Sequence, residues 1–202
     1  MKLVIGNKEH EIKSLTIGDY LDLKDVDLGK VDDMALLERF TTASKDEIKK
    51  IPYTKVKFIV SVIKSSFSNE SEALPLALTL KLNDKWYGLI RPSELTYEEW
   101  INLEVFMTEK PIDLLKLATH LYKPLKSDKL GEERELIDYD LQECLSRQDE
   151  FRNMIMGNLT SALFFLTTFV MKLTESSLGS METKMKNKQN PNKKKKNITP
   201  DN

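Results

Sequence analysis

The stretch MIMGNLTSALFFLTTFVMKL, residues 154–173, has the densest apolar content of the chain and carries no charge before Lys172. Its apolar residues recur at alternating spacings of four and three, which is the pattern of one helix face. These residues are Ile155, Leu159, Ala162, Leu166, Phe169 and Leu173. Further apolar residues widen the face until the helix is apolar nearly all round. Such a helix lies at the centre of a bundle or spans a membrane.

A buried central helix is the preferred interpretation of this stretch. A membrane span needs roughly 20 apolar residues, and Asn158 in lipid would require a hydrogen-bond partner. The segment Leu136–Phe151 predicts an ordinary soluble helix that runs straight into the central one. The lysines that follow keep a membrane anchor open as an alternative. The pattern also leaves open whether this chain or a second copy covers the helix.

Two segments change to the patterns of β-hairpins. Short apolar runs on either side of Gly6-Asn7 predict a hairpin over residues 2–12. Leucines alternate with other residues from Leu76 to Leu82, a turn follows at 83–85, and Trp86–Ile90 returns. The sequence therefore predicts a second hairpin over about 76–90.

Helix starts are marked by capping boxes, in which a Ser or Thr precedes an acidic residue by three positions. The pairs are Thr16 with Asp19, Ser44 with Glu47 and Thr96 with Glu99. Pro111 suits the first turn of a further helix that ends at Pro124. These signals predict a mostly α protein, a helical bundle around the helix at about 154–173 with two small β-hairpins.

The pattern divides the chain into three parts. Residues 1–67 are expected to form a hairpin and helical subdomain, and residues 76–178 a second hairpin with a bundle packed on it as one globular unit. Residues 181–202 hold seven lysines and two acidic residues, Glu182 and Asp201, so this segment has a charge of +5. Because the net charge of the chain is −1, residues 1–180 have a charge of −6. This tail has almost no apolar content, which predicts disorder.

No catalytic, metal or cofactor motif is found in the sequence, and no small-molecule substrate is expected. The adjacent pair Glu98-Glu99 is interpreted as part of a solvated face, because neighbouring helical residues point about 100° apart. His120 has no ligand residue at three or four positions to form a metal pair. Cys144, the one cysteine, excludes a disulfide framework and has no predicted catalytic partner. The sequence predicts a protein that is not an enzyme.

Two groups of residues are candidates for contact with partners. The aromatic candidates are Trp86, Tyr87, Trp100 and Tyr122. For Trp86 and Tyr87 the alternative is packing of one hairpin face on the helices. The electrostatic candidates are Lys193, Lys194, Lys195 and Lys196, which could contact the phosphates of nucleic acid. The alternative for these lysines is a solubilising tail, since no aromatic residues lie among them for base stacking.

Four segments resemble the tail-assembly or baseplate-hub-assembly proteins of contractile-tailed bacteriophages. They are Ile17–Leu21, Arg91–Trp100, Leu121–Leu125, and Arg147…Phe151 leading to Phe164-Phe165. The N-terminal hairpin and the lysine tail lie outside the likeness. The resemblance implies a small helical assembly chaperone that binds a hub or tape-measure protein in the host cytoplasm and has no enzymatic role.

Three other hypotheses stay open beside the assembly factor. Some proteins of this kind remain in the virion, so the chain could be a structural component of the baseplate or tail. The second alternative is a helical nucleic-acid-associated protein that acts through its basic tail. The third is a membrane-anchored protein. A homo-oligomer is compatible with each of them.

Overall fold

The computed structural model describes residues 2–5, 7–68, 74–126 and 135–189. Within these ranges the chain is mainly helical, with one two-stranded and one three-stranded antiparallel sheet. The predicted predominance of helix and both predicted hairpins are confirmed. The fold is therefore a mixed α/β fold in which helix predominates.

The regular elements follow in chain order. The strands are β1 (Lys2–Ile5), β2 (Lys8–Glu11), β3 (Thr79–Leu82), β4 (Lys85–Leu89) and β5 (Tyr122–Pro124). The helices are α1 (Ile17–Leu23), α2 (Asp33–Phe40), α3 (Lys45–Ile48), α4 (Tyr53–Ser68), α5 (Tyr97–Thr108), α6 (Leu114–Leu121), α7 (Leu141–Ser146), α8 (Gln148–Phe151) and α9 (Met156–Gln189). A short 3₁₀ helix, Pro92–Glu94, precedes α5.

The contacts divide the chain into two compact units, Met1–Leu163 and Phe164–Asn202. The boundary lies inside α9, whereas the sequence suggested divisions near residues 68–75 and 179–180. The backbone of residues 181–189 continues α9, so this part of the predicted disordered tail is helical. The remainder of that tail, with Lys193–Lys196, lies outside the described residues.

The first hairpin and helices α2 to α4 share one hydrophobic core. Its buried residues are Leu3, Ile5, Leu36, Leu37, Phe40, Ala43, Ile48, Ile51, Ile59, Val60 and Ile63. The capping boxes of Thr16 with Asp19 and of Ser44 with Glu47 are both present. These local signals therefore set the starts of α1 and α3, and Ile48 of α3 is part of the core.

The start of α1 is joined to the chain segment just before α9. The backbone N–H of Ile17 donates to the carbonyl of Met154 at 2.9 Å, and that of Gly18 to the carbonyl of Arg152 at 2.8 Å. Asp22 accepts hydrogen bonds from Arg39 and Arg152, and these two arginines lower its pKa. Segments 130 residues apart thus form one structural unit.

The three-stranded sheet has the order β3-β4-β5. Leu82 pairs with Lys85, and the two-residue turn between them has positive φ at Asn83 (46°) and Asp84 (66°), the conformation that a tight hairpin needs. The sequence placed a helix from Pro111 to Pro124, and both of these limits were wrong. Asp113 caps α6, which begins at Leu114 rather than Pro111, and Tyr122–Pro124 leaves the helix to pair with β4 as β5.

The predicted helix Leu136–Phe151 was also wrong in its first part. Leu136 pairs with Leu125 in an extended bridge, and the Ile137 N–H donates to the carbonyl of Pro124 at 3.0 Å. The Asp140 side chain then accepts from the Glu143 N–H and caps α7. Pairing beside β5 and a strong N-cap together delay the start of the helix to Leu141.

Helix α9 begins at Met156, two residues later than expected. In the first unit Leu159 and Ala162 are buried, and the Ser161 hydroxyl donates to the carbonyl of Leu74 at 2.6 Å. In the second unit Phe164 and Met171 are exposed, so the prediction of a helix buried nearly all round is wrong at these positions. No helix in the described residues is long and apolar enough to cross a membrane.

Candidate functional site: a charged cleft and the exposed face of α5

A cleft of about 290 Å³ lies beside the start of α5 and the strand β5. It is lined by Ile90, Glu94, Thr96, Glu99, Lys123, Glu135, Leu136, Ile137, Asp138 and Tyr139. Its volume is at the lower end of the range for small-ligand sites. Four acidic residues and one lysine line it, so the cleft favours positive groups over negative ones.

A buried ion pair between Lys123 and Glu99 forms one wall of the cleft. The two side chains are 9% and 1% exposed. Glu99 is the third residue of α5 and accepts a hydrogen bond from the Thr96 N–H at 2.8 Å, as the capping box predicts. Burial alone would raise the pKa of Glu99, but Lys123 and Thr96 outweigh it and hold this pKa below the ordinary value.

His120 lies behind this pair on α6. Its Nε2 donates to the carbonyl oxygen of Glu99 at 2.7 Å, so Nδ1 is the unprotonated nitrogen of the neutral ring. Nδ1 has no hydrogen-bond partner in the described part of the chain. Burial lowers the pKa of His120, because a charged imidazolium would lose its hydration there.

Tyr139 also lines the cleft. Its ring meets the His120 ring edge to face with centroids 5.2 Å apart, and the Lys123 ammonium lies 5.4 Å from its centroid. The Asn102 amide donates to its hydroxyl at 2.9 Å, and burial raises its pKa to about 12. The polar groups of the cleft thus hold α5, α6 and β5 together, which is a structural use of their charge.

Cys144 and groups of metal-ligating side chains are the remaining features that could carry chemistry. The Cys144 thiol is buried, accepts a hydrogen bond from Arg147 at 3.3 Å, and has its pKa raised by burial. A thiol in this environment is a poor nucleophile. Within residues 2–5, 7–68, 74–126 and 135–189, no group of three or more His, Cys, Asp or Glu is placed to hold a metal ion.

Two of the four predicted aromatic contact residues are buried. Tyr87 and Tyr122 are fully buried, and their hydroxyls donate to Glu150 and to the carbonyl of Ala77. Trp86 and Trp100 are half-buried. The prediction of partner contact is therefore corrected for the two tyrosines, because Tyr87 on β4 and Tyr122 on β5 face the core of the paired strands.

A different set of apolar residues is exposed, in a row along one side of α5. The row consists of Tyr97, Ile101 and Val105, each one helical turn beyond the last. We call these three residues the α5 row. The opposite side of the helix buries Leu103, Phe106 and Glu99.

Sequence reasoning missed both parts of this site. It placed Glu99 on a solvated face, but Glu99 is buried because Lys123 comes from β5, a strand that was not predicted. It did not single out Tyr97, Ile101 and Val105 as contact residues. Residues spaced by four lie on one side of a helix, and Tyr97, Ile101 and Val105 share a side that excludes Leu103 and Phe106. This spacing was the signal that could have identified a second apolar row on α5.

Neither a protein-family model, nor a curated protein, nor a solved structure matches this chain.

Proposed function

We propose that the protein is an assembly factor of a contractile phage tail that binds a baseplate-hub or tape-measure protein without catalysing a reaction. The proposal rests on the resemblance of four sequence segments to such proteins. The observation that carries it is that segments far apart in sequence meet around one structural unit, rather than lying as isolated matches.

The contacts between these segments are direct. The N–H groups of Ile17 and Gly18, in the first segment, donate to backbone carbonyls just after Phe151, inside the fourth segment. Phe151 packs edge to face on Tyr87 of β4, with centroids 4.9 Å apart, and β4 pairs with β5 in the third segment. In the second segment, Glu99 pairs with Lys123 of the third. Only Phe164-Phe165 falls in the other compact unit.

Exposed apolar groups support a binding role. The α5 row, Phe58 on α4 and Phe164 on α9 place large apolar side chains in solvent. Single exposed apolar residues are ordinary on soluble proteins, but rows on one helix face are typical of binding surfaces. Among the charged groups of the cleft, by contrast, Glu94, Glu99, Glu135 and Lys123 already have ion-pair partners within the fold. Binding therefore fits these residues better than catalysis does.

The test is affinity purification of the tagged full chain from phage-infected cells, with mass spectrometry of the eluate and of purified particles. Co-elution of a hub or tape-measure protein, together with particles that lack this chain, is the expected result. A fixed copy number in particles would favour the alternative, a structural virion component. Absence of phage proteins from the eluate and of this chain from particles would overturn both. An unrelated protein with the same tag is the control.

A second candidate function comes from the basic tail. Seven lysines between residues 181 and 202 give this segment +5 against a body of −6. Binding of nucleic acid through these lysines would weaken steeply with salt. Deletion of residues 190–202 leaves the described helix intact and removes Lys193–Lys196. Salt-sensitive binding that disappears in this variant would support the nucleic-acid alternative.

A further inference from the structure

The α5 row is a preformed apolar surface. Tyr97 is 83% exposed, Ile101 39% and Val105 46%. At a rise of 1.5 Å per residue the three side chains span about 12 Å along the helix. Tyrosine and aliphatic residues at this spacing are the anchors that one helix offers to another.

The inner side of α5 holds this surface in place. Leu103 and Phe106 are buried, and Glu99 is paired with Lys123. The capping box of Thr96 with Glu99 sets the start of the helix. A partner would therefore bind to an ordered helix and would lose little free energy in ordering it.

Two carboxylates flank the row. Successive residues of a helix turn by about 100°, which places Glu98 on one side of the row and Glu104 on the other. Both residues are exposed, and neither has an ion-pair partner within the residues that the structure describes. A further acidic residue, Asp138, lines the cleft at the start of α5. The surface is thus an apolar row between negative charges.

We propose that the α5 row docks an amphipathic helix of the partner protein, with Lys or Arg on both sides of that helix's apolar stripe. Only basic flanks complement Glu98 and Glu104. That the partner is a phage tail protein rests on the proposed function, whereas the chemistry of the docked helix rests on the row itself.

Charge and composition disfavour two other occupants. A second copy docked through the same face would bring Glu98 and Glu104 against their own counterparts, and like charges repel. The tail, residues 190–202, has the right charge, but Ile198 is its one residue with a large apolar side chain apart from the prolines. It therefore has no apolar stripe to cover Tyr97, Ile101 and Val105.

The probe is a synthetic 21-residue helical peptide with leucines along one face and lysines on both sides of them. A second peptide carries glutamate in place of each lysine. Both are labelled and titrated with the full chain by fluorescence anisotropy at low and high salt. We expect the lysine peptide to bind at least about tenfold more tightly than the glutamate peptide.

Three variants locate the binding. Tyr97→Ser with Ile101→Ser is expected to raise the Kd of the lysine peptide about tenfold or more. Glu98→Lys with Glu104→Lys is expected to reverse the preference between the two peptides. Phe58→Ser removes another exposed aromatic group, on α4, and is the control, with no expected change. Circular dichroism establishes that each variant is folded.

Several outcomes would overturn the proposal. The lysine peptide could bind all variants equally, or neither peptide could bind at all. Deletion of residues 190–202 could tighten peptide binding, which would show that the tail covers the row. Sedimentation could reveal a dimer that the Tyr97→Ser, Ile101→Ser variant dissociates, which would assign the row to a second copy.

The purification from infected cells separates this inference from the proposed function. If the wild-type chain and the Tyr97→Ser, Ile101→Ser variant retrieve the same tail protein equally well, the docking surface is wrong and the function stands. If no tail protein is retrieved but peptide binding maps to the row, the function is wrong and the surface chemistry stands.

Discussion

Lys123 forms its ion pair with Glu99 in the interior, where one residue comes from strand β5 and the other from the first turn of α5. The pair joins the three-stranded sheet to the helix that carries the α5 row. Two charges buried together neutralise each other, whereas either one alone would remain without hydration.

Removal of the lysine should therefore be costly. Lys123→Met keeps a long side chain but leaves the Glu99 carboxylate buried and unpaired. We expect the free energy of unfolding at pH 7 to fall by about 3–5 kcal/mol, measured by urea denaturation. The double variant Lys123→Met, Glu99→Gln keeps the bond to the Thr96 N–H and should recover much of the loss. Equal losses in the single and double variants would contradict this account.

The same pair makes a pH prediction. The pKa of Glu99 is held below its ordinary 4.5, so its stabilising contribution is complete above that pH and is lost as pH falls through the folded pKa. In Lys123→Met the unpaired carboxylate takes up a proton more readily. The stability difference between wild type and variant should therefore begin to narrow above pH 4.5, where the variant's Glu99 takes up its proton, and should narrow further below pH 4.5. A difference that stays constant from pH 7 to pH 3 would argue against the pair.

His120 predicts a second pH effect at higher pH. Burial lowers its pKa below the ordinary 6.5, so the unfolded chain binds the proton more readily than the folded one. Stability is therefore expected to fall as pH drops below 6.5. In His120→Gln, whose amide can still donate to the Glu99 carbonyl, this dependence should disappear between pH 5 and 7. His10→Gln leaves His120 in place and is the control, in which the pH dependence of stability should remain. Denaturation midpoints at each pH provide the measurement.

Gly18 should not tolerate a branched side chain. A Cβ at this position would meet the carbonyl oxygen of Arg152 at 3.0 Å, where the two backbone segments are hydrogen-bonded. Gly18→Val is expected to lower the free energy of unfolding by about 1–3 kcal/mol. Lys24→Val, at the exposed end of α1, is the control and should change it by less than about 0.5 kcal/mol. Thermal or urea unfolding of the two variants tests the close approach.

The two sides of α5 should respond differently to truncation. Leu103 is buried, so Leu103→Ala is expected to cost about 2–5 kcal/mol. Ile101 belongs to the exposed α5 row, and Ile101→Ala should cost less than about 1 kcal/mol. Equal losses at the two positions would mean that the row is covered in solution. Chemical denaturation of both variants decides between these results.

Local signals predicted much of this fold from the sequence. The capping boxes at Thr16, Ser44 and Thr96 locate helix starts because the side chain and the free N–H groups lie within three residues of each other. The turn at Asn83-Asp84 is local in the same sense. The apolar period of the central helix likewise identified α9, although it did not predict where the helix would be exposed.

The tertiary structure decided what depends on segments distant in sequence. Strand β5 exists because β4 is beside it, and the same pairing brings Lys123 to Glu99 and turns Tyr122 into the core. The start of α7 is delayed because Leu136 pairs with Leu125. By itself the sequence determined which residues could form helices and hairpins, since those choices depend on neighbours in the chain. Which apolar faces were covered, and which charges were buried, depended on partners far along the chain that only the fold brings together.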